Sequence, residues 1–135
     1  MLKKTNSEER LQKINEFLIQ TVEKKSNLKI FEDTVSEETL EDIRKETNGW
    51  NYFIYETSGF SKSKDKKFMI QTVLLRFYSE NRDDLDQFSL ELISALDGRL
   101  LKFEKSLKGA IKKGKEDSYI DEIEFYFTRT FENEC

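Results

Sequence analysis

The chain of 135 residues contains no histidine and no proline, and its single cysteine, Cys135, is the last residue. Without histidine, imidazole acid–base catalysis, histidine metal ligation and a Ser-His-Asp triad are excluded. One cysteine excludes an intramolecular disulfide and a zinc-thiolate site, and a chain end is a poor place to fix a nucleophile. These absences argue against an enzyme.

Glycine is scarce too, and the five glycines are scattered along the chain. None belongs to a P-loop or a dinucleotide-binding motif, so no phosphate-cradling loop is predicted. No apolar run approaches the roughly 18 residues that cross a bilayer, and the mixed-charge N-terminus lacks the apolar centre of a signal peptide. We therefore expect a soluble, cytoplasmic protein that uses no cofactor and no metal and contacts no membrane.

Aromatic residues compensate for a low apolar content. Apolar residues make up 36% of the chain and charged residues 37%, but eleven Phe, five Tyr and one Trp supply large buriable side chains. No repeat, low-complexity block or linker divides the sequence. The length suits one domain that spans residues 1–135.

The stretch from Phe68 to Leu96 is the strand and helix around which the rest of the fold is predicted. Residues 68–79 alternate as a strand with apolar side chains on both faces, which places this strand inside a sheet and leaves neither face for a substrate. Residues 84–96 then repeat at helical spacing. The acids at its start, Asp83 to Asp86, suit the first turn of a helix better than a metal site because the helix dipole favours negative charge there.

The flanking segments complete an α+β fold. We expect an N-terminal helix ending near Asn27, a short strand, a short helix capped by Thr34 and ended by Asn48-Gly49, and a central aromatic strand from Trp50 to Thr57. An exposed, mobile basic loop over 58–67, a last half-buried strand and a short tail over 132–135 are also predicted. The result is a small, mostly antiparallel sheet of about four strands, packed by the N-terminal helix and a second helix.

The basic segment over 99–115 places Leu100, Phe103, Leu107 and Ile111 at helical spacing. This spacing suits an amphipathic helix, but Gly109 and Gly114 weaken that interpretation by up to about 1 kcal/mol each relative to alanine, so the sequence leaves open whether the segment is helical. The fold class does not depend on this segment.

Charge is strongly segregated along the chain. Seven bases and one acid give residues 99–115 a charge of +6, whereas seven acids and two bases give residues 32–46 a charge of −5. Seven acids and one base give residues 116–135 a charge of −6. Such segregation favours head-to-tail contact between copies or a basic patch for phosphate.

The order of elements resembles the tail terminator or tail-completion proteins of long-tailed bacteriophages. The features that carry the resemblance are the N-terminal helix, the acidic connection, the aromatic strand Trp50–Thr57, the hairpin into Phe68–Ser79 with its ending Arg76-Phe-Tyr-Ser-Glu80, the helix over 84–96, and the final Phe127-Thr-Arg-Thr-Phe131. The sequence departs from the family in lacking proline-containing turns and in its longer basic segment.

The resemblance implies a virion protein, assembled in the host cytoplasm and located at the head–tail interface. It implies a homo-oligomeric ring, typically a hexamer, that contacts the tail-tube protein and the head–tail connector protein and lets DNA pass only as cargo in its lumen. A small nucleic-acid-binding or regulatory protein that uses the basic loop and basic segment is the alternative. The candidate subunit or partner contacts are Lys62, Lys64, Lys66, Lys67, Arg82, Asp83, Lys102, Lys105, Lys108, Lys112, Lys113, Glu132 and Glu134.

Overall fold

A computed structural model describes residues 6–112 and 119–132 of the chain. Three helices and five strands follow one another in the described residues. In chain order they are α1 (Asn6–Ser26), β1 (Ile30–Glu32), α2 (Glu37–Thr47), β2 (Tyr52–Lys62), β3 (Phe68–Ser79), α3 (Leu85–Leu96), β4 (Lys102–Lys112) and β5 (Tyr119–Glu132).

The strands form one sheet in the order β1-β2-β3-β5-β4. Only β1 and β2 pair in parallel, and the remaining neighbours are antiparallel. The predicted α+β class and the interior position of β3 are confirmed. The aromatic strand β2, predicted to be central, is second from an edge, and the predicted four strands are five.

The fifth strand is β4, so the helical spacing of Leu100, Phe103, Leu107 and Ile111 does not correspond to a helix. Strand β5 needs a partner along its second edge, and β4 pairs with it from Lys102↔Thr128 to Lys112↔Tyr119. This long ladder outweighs a weak helical preference that Gly109 lowers further. In a strand, residues at helical spacing do not all fall on one face, so Leu107 and Ile111 remain 48% and 40% exposed.

The core lies between one face of the sheet and helices α1 and α3. At its centre the rings of Phe53 and Phe77 stack at 4.4 Å, and Phe88 of α3 lies 5.2 Å from Phe77. Ile14 and Leu18 bring the apolar face of α1 to the same cluster. Dispersion and the removal of aromatic surface from water therefore hold both helices on this face.

The opposite, outer face of the sheet is half-buried. Along β3, Ile70, Leu74 and Tyr78 are partly exposed and alternate with fully buried neighbours such as Val73 and Leu75. The expectation that neither face of β3 is accessible is therefore wrong, because both large helices pack on the same side.

The predicted loop over 58–67 is shorter than expected, since β2 continues to Lys62 across a bulge between Thr57 and Phe60. The remaining turn is held by Asp65, whose carboxylate accepts from the Ser63 hydroxyl at 2.6 Å and from the Lys67 amide at 3.0 Å. These hydrogen bonds lower the pKa of Asp65. The five residues of the turn are therefore tied to one another by hydrogen bonds.

Two asparagines end helices as predicted. Asn27 after α1 and Asn48 after α2 adopt left-handed conformations, with φ of 59° and 56°. The start of α2 differs from the prediction: Ser36, and not Thr34, is the N-cap, and its side chain accepts from the Thr39 amide. Short polar side chains can compete for a cap within a few residues, and the chain path decides between them.

Gly49 follows Asn48 with φ of 152° and lies against Glu80. A Cβ at this position would lie 2.5 Å from the Glu80 Oε2 atom, which accepts the Trp50 amide at 2.7 Å. We expect Gly49→Ala to lower the free energy of unfolding by about 1–3 kcal/mol, because both the backbone and this hydrogen bond must shift.

Chemical denaturation measures this effect. The matched control is Gly59→Ala, since nothing lies within 4 Å of a Cβ at Gly59. An unchanged midpoint in Gly49→Ala would contradict the close approach of Gly49 and Glu80.

Candidate functional site

The two edges of the sheet differ in charge. One edge is β4, which the described residues pair on one side only, with β5. Residues 99–112 hold five bases, Arg99, Lys102, Lys105, Lys108 and Lys112, and one acid, Glu104, for a charge of +4. Every residue of β4 except Phe103 is exposed. The basic segment is therefore a sheet edge and not a helix.

The β4 lysines lie on both sides of the sheet. Lys108 forms an ion pair with Asp86 of α3, on the helix-covered side. The Lys105 ammonium lies 5.0 Å from the ring centroid of Tyr126 on the outer face. Lys102 and Lys112 are exposed at the two ends of the strand. The sequence-predicted contacts of this segment thus form a row along one edge.

The other edge consists of β1 and the unpaired half of β2, and the acidic segment is the connection between these two strands. Within the described residues, β1 covers β2 only from Phe53 to Tyr55, and residues 57–62 of β2 have no strand on that side. Residues 32–46, which include α2, carry a charge of −5 from seven acids and two bases. All seven acids are exposed: Glu32, Asp33, Glu37, Glu38, Glu41, Asp42 and Glu46.

Lys105 on β4 and Glu56 on β2 lie in one row of paired residues that crosses the sheet. Lys105 pairs with Tyr126, Tyr126 with Leu74, and Leu74 with Glu56. Glu32 on β1 pairs with Tyr55, one residue from this row. This row therefore runs from Lys105 on β4 to Glu56 on β2, which follows the partner of Glu32 in the chain.

The acidic C-terminal segment, in contrast, lies beside β4 in the same chain. Glu122 and Glu124 of β5 pair with Gly109 and Leu107 of β4. Glu124 also lies 3.5 Å from Arg76, which forms a second ion pair with Glu56. Glu124 therefore has a basic neighbour within the molecule, and in the segment over 32–46 Glu46 pairs with Lys29 and Glu41 with Arg44.

Two tyrosines share the outer face with these ion pairs. The rings of Tyr52 and Tyr78 stack at 4.9 Å, and the Tyr78 hydroxyl donates a hydrogen bond to Glu122. Burial is the larger cause and the Glu122 carboxylate the next, and together they raise the pKa of Tyr78 above its ordinary range. Burial also raises the pKa of Tyr52. The neutral phenols are therefore the stable forms in the folded chain.

The raised tyrosine pKa values predict alkaline destabilisation. Because the folded state holds these protons more tightly than the unfolded state, their contribution is complete below about pH 10 and is lost as the pH rises further. We expect the free energy of unfolding to fall above about pH 10, and to fall less steeply in Tyr78→Phe. Urea titrations from neutral to alkaline pH measure the slope. Tyr119→Phe, at an exposed tyrosine of β5, is the control; an equal slope in Tyr78→Phe and the wild type would contradict the assignment.

The other sequence-predicted contacts are dispersed. Lys62, Lys64, Lys66 and Lys67 are exposed in or beside the β2–β3 turn, and Glu132 is exposed at the end of β5. Arg82 lies 2.5 Å from Asp84 and 3.9 Å from the ring centroid of Phe88, so it packs within the chain, whereas Asp83 is exposed. Lys113, Glu134 and most of the predicted tail over 132–135 lie outside the described residues.

Sequence reasoning missed Arg129, which is only 5% exposed on the inner face of β5. Its Nε donates to Gln71 Oε1 at 2.8 Å, and its Nη1 donates to Asn15 Oδ1 at 2.7 Å. Burial lowers the pKa of its guanidinium. Alternate residues of β5 face inward, and Arg129 lies midway between Phe127 and Phe131, so the pattern predicts that it also faces inward.

The described residues contain no group of three or more His, Cys, Asp or Glu side chains placed to hold a metal ion. None of the helices described here is long and apolar enough to cross a membrane.

Comparison with models of known protein families finds no match, and comparison with curated proteins finds no significant relative.

Proposed function

We propose that the chain is a structural protein of a long-tailed bacteriophage, whose homo-oligomeric ring ends the tail tube and joins it to the head connector. The observation that carries the proposal is the separation of charge between the basic strand β4 and the acidic segment over 32–46, which lie in different parts of the fold. An opposite-charge pair of distinct surfaces on one subunit favours head-to-tail contact, and a head-to-tail contact closes into a ring when its rotation permits.

The order of elements adds support. Helix α1, the acidic connection, the β2–β3 hairpin, α3 and β5 follow one another in the order from which the resemblance to tail terminators was drawn. In this proposal the protein works by contact and not by catalysis, needs no cofactor, and meets DNA only in the lumen of a hexameric ring.

The proposal is tested first by whether a neighbouring reading frame encodes a tail-tube protein, and then with that protein assembled into tubes. Purified chain is added to assembled tubes, and negative-stain electron microscopy shows whether rings cap the tube ends. We expect caps at one end of each tube. The control is tubes without the chain.

Absence of caps, together with binding of duplex DNA by monomers that weakens steeply with salt, would instead support a nucleic-acid-binding protein. Neighbouring reading frames that encode neither capsid nor tail proteins would also oppose the virion role.

A further inference from the structure

We propose that the free edge of β4 binds an extended, acidic segment of another protein, which pairs with this strand as a sixth strand of the sheet. The inference goes beyond the proposed function and does not require a ring. Recognition has two parts: hydrogen bonds between the two backbones, and contacts of the lysines and apolar side chains of β4 with the side chains of the segment.

Strand β4 is the edge of the sheet that is better suited to strand addition. Along residues 105–112 each residue pairs in unbroken register with one residue of β5, and within the described chain no strand lies on the other side. At about 3.3 Å per residue, this run is roughly 26 Å long. The opposite edge offers less, because β1 has three residues and β2 beyond it is bulged between Thr57 and Phe60.

Most of the devices that protect an edge strand are missing from this run. Natural edge strands are commonly short, bulged, interrupted by proline or covered by another element. The sequence contains no proline, and the register shift of β4 lies between Phe103 and Lys105, before the run begins. Every residue of the run is exposed. Its lysines remain as the protective device, and they oppose a basic segment but not an acidic one.

The side chains of the run specify the chemistry of the segment. Lys105 lies on the outer face of the sheet, and the alternation of a strand places Leu107 and Ile111 on the same face. Lys108 and Lys112 lie on the other face. A strand laid along β4 therefore gains most from acids beside the three lysines and apolar residues beside Leu107 and Ile111.

The acidic parts of the described chain are not extended segments that are free to pair. Most acids of residues 32–46 lie in helix α2, and the strand that holds Glu32 has three residues. The acids of β5 lie on a strand that is already paired on both edges, with β3 and β4. The partner is therefore a different protein and not a second copy.

Nucleic acid fits this edge less well than a peptide does. The lysines point to both faces of the sheet, so they do not form one row that follows a phosphate backbone. A duplex would also cover part of the outer face, where Glu56, Glu122 and Glu124 oppose a polyanion. A single extended peptide is narrow enough to contact the edge alone.

The probe is a fluorescein-labelled, C-terminally amidated peptide, Glu-Val-Thr-Tyr-Glu-Val-Thr-Glu. Laid antiparallel to residues 105–112, it places its glutamates beside the three lysines, its valines beside Leu107 and Ile111, and its tyrosine beside Gly109. The antiparallel direction is chosen because it is slightly the more stable pairing. Fluorescence anisotropy at low salt measures binding to the purified chain.

The peptide should bind saturably, and two changes should each weaken binding at least about tenfold. One is N-methylation of the adjacent central Tyr and Glu of the peptide, because it removes a backbone donor on each edge and keeps the charge. The other is Lys105→Glu with Lys112→Glu in the chain, because like charges then meet. Lys13→Glu with Lys24→Glu, at exposed lysines of α1, gives a control of equal net charge that should bind as the wild type does. Circular dichroism confirms that both variants fold.

Four results would overturn the inference. One is the absence of saturable binding up to millimolar peptide. Equal binding of the N-methylated peptide would show charge attraction without strand pairing. Tighter binding of a short DNA duplex than of the peptide would assign the lysines to nucleic acid. Peptide binding that falls as the concentration of the chain rises would show that a second copy covers the edge.

Discussion

Replacing Phe77 by alanine is expected to lower the free energy of unfolding by about 3–5 kcal/mol. Phe77 is fully buried in the middle of β3, stacked on Phe53 and in ring contact with Phe88. Truncation removes one of the ring contacts that join the sheet to α3 and leaves a cavity that the neighbouring elements cannot fill without moving. This is the largest single effect that the fold predicts.

Urea denaturation at high salt measures this loss, because high salt separates folding from charge-driven association. Leu90→Ala is the control, since Leu90 lies on α3 but is 67% exposed. Its change should stay within about 0.5 kcal/mol. A Phe77→Ala variant as stable as Leu90→Ala would show that the aromatic cluster is not the centre of the core.

Arg129→Met is expected to cost about 2–4 kcal/mol, although methionine suits a buried position. The substitution leaves Gln71 Oε1 and Asn15 Oδ1 without the guanidinium that donates to them. Gln71 is 6% exposed, so water does not readily replace the lost donor. The cost arises from unpaired acceptors and not from lost volume.

The double variant Arg129→Met with Gln71→Met separates these causes. Because it removes the most buried orphaned acceptor, it should be more stable than Arg129→Met alone. Arg99→Met, at an exposed arginine, is the control for a lost charge and should change stability by less than about 0.5 kcal/mol. A double variant less stable than Arg129→Met would contradict this explanation.

Short stretches of sequence predicted the features that depend on residues near one another in the chain. Asn27 and Asn48 tolerate left-handed backbone, and both end helices where the sequence places them. The apolar alternation of β3 and β5 predicted their faces because a strand buried on one side needs this pattern. These features depend on neighbours within a few residues.

The misassigned features depend on distant partners. Strand β4 has a helical apolar spacing, but its conformation is set by β5, with which it pairs along eleven residues. The outer face of β3 was expected to be covered because the sequence could not show that α1 and α3 pack on the same side. Arg129 was missed because its amide partners lie 58 and 114 residues away.

The candidate site was likewise predicted in part: the sequence showed its charges, and the fold showed where they lie. Charge counts identified the basic segment and two acidic segments without their spatial relation. The fold places Glu122 and Glu124 of one acidic segment on β5, beside β4 in the same chain, and the other segment in the connection between β1 and β2, at the far end of the strand order. Sheet topology therefore reduces two candidate acidic partners for the basic segment to one.

Native mass spectrometry of the purified chain at decreasing salt tests the central claim most directly. We predict one closed stoichiometry that appears as salt falls. A wild type that remains monomeric at every salt concentration, or that forms an open series of sizes with no preferred number, would contradict a ring closed by head-to-tail contacts.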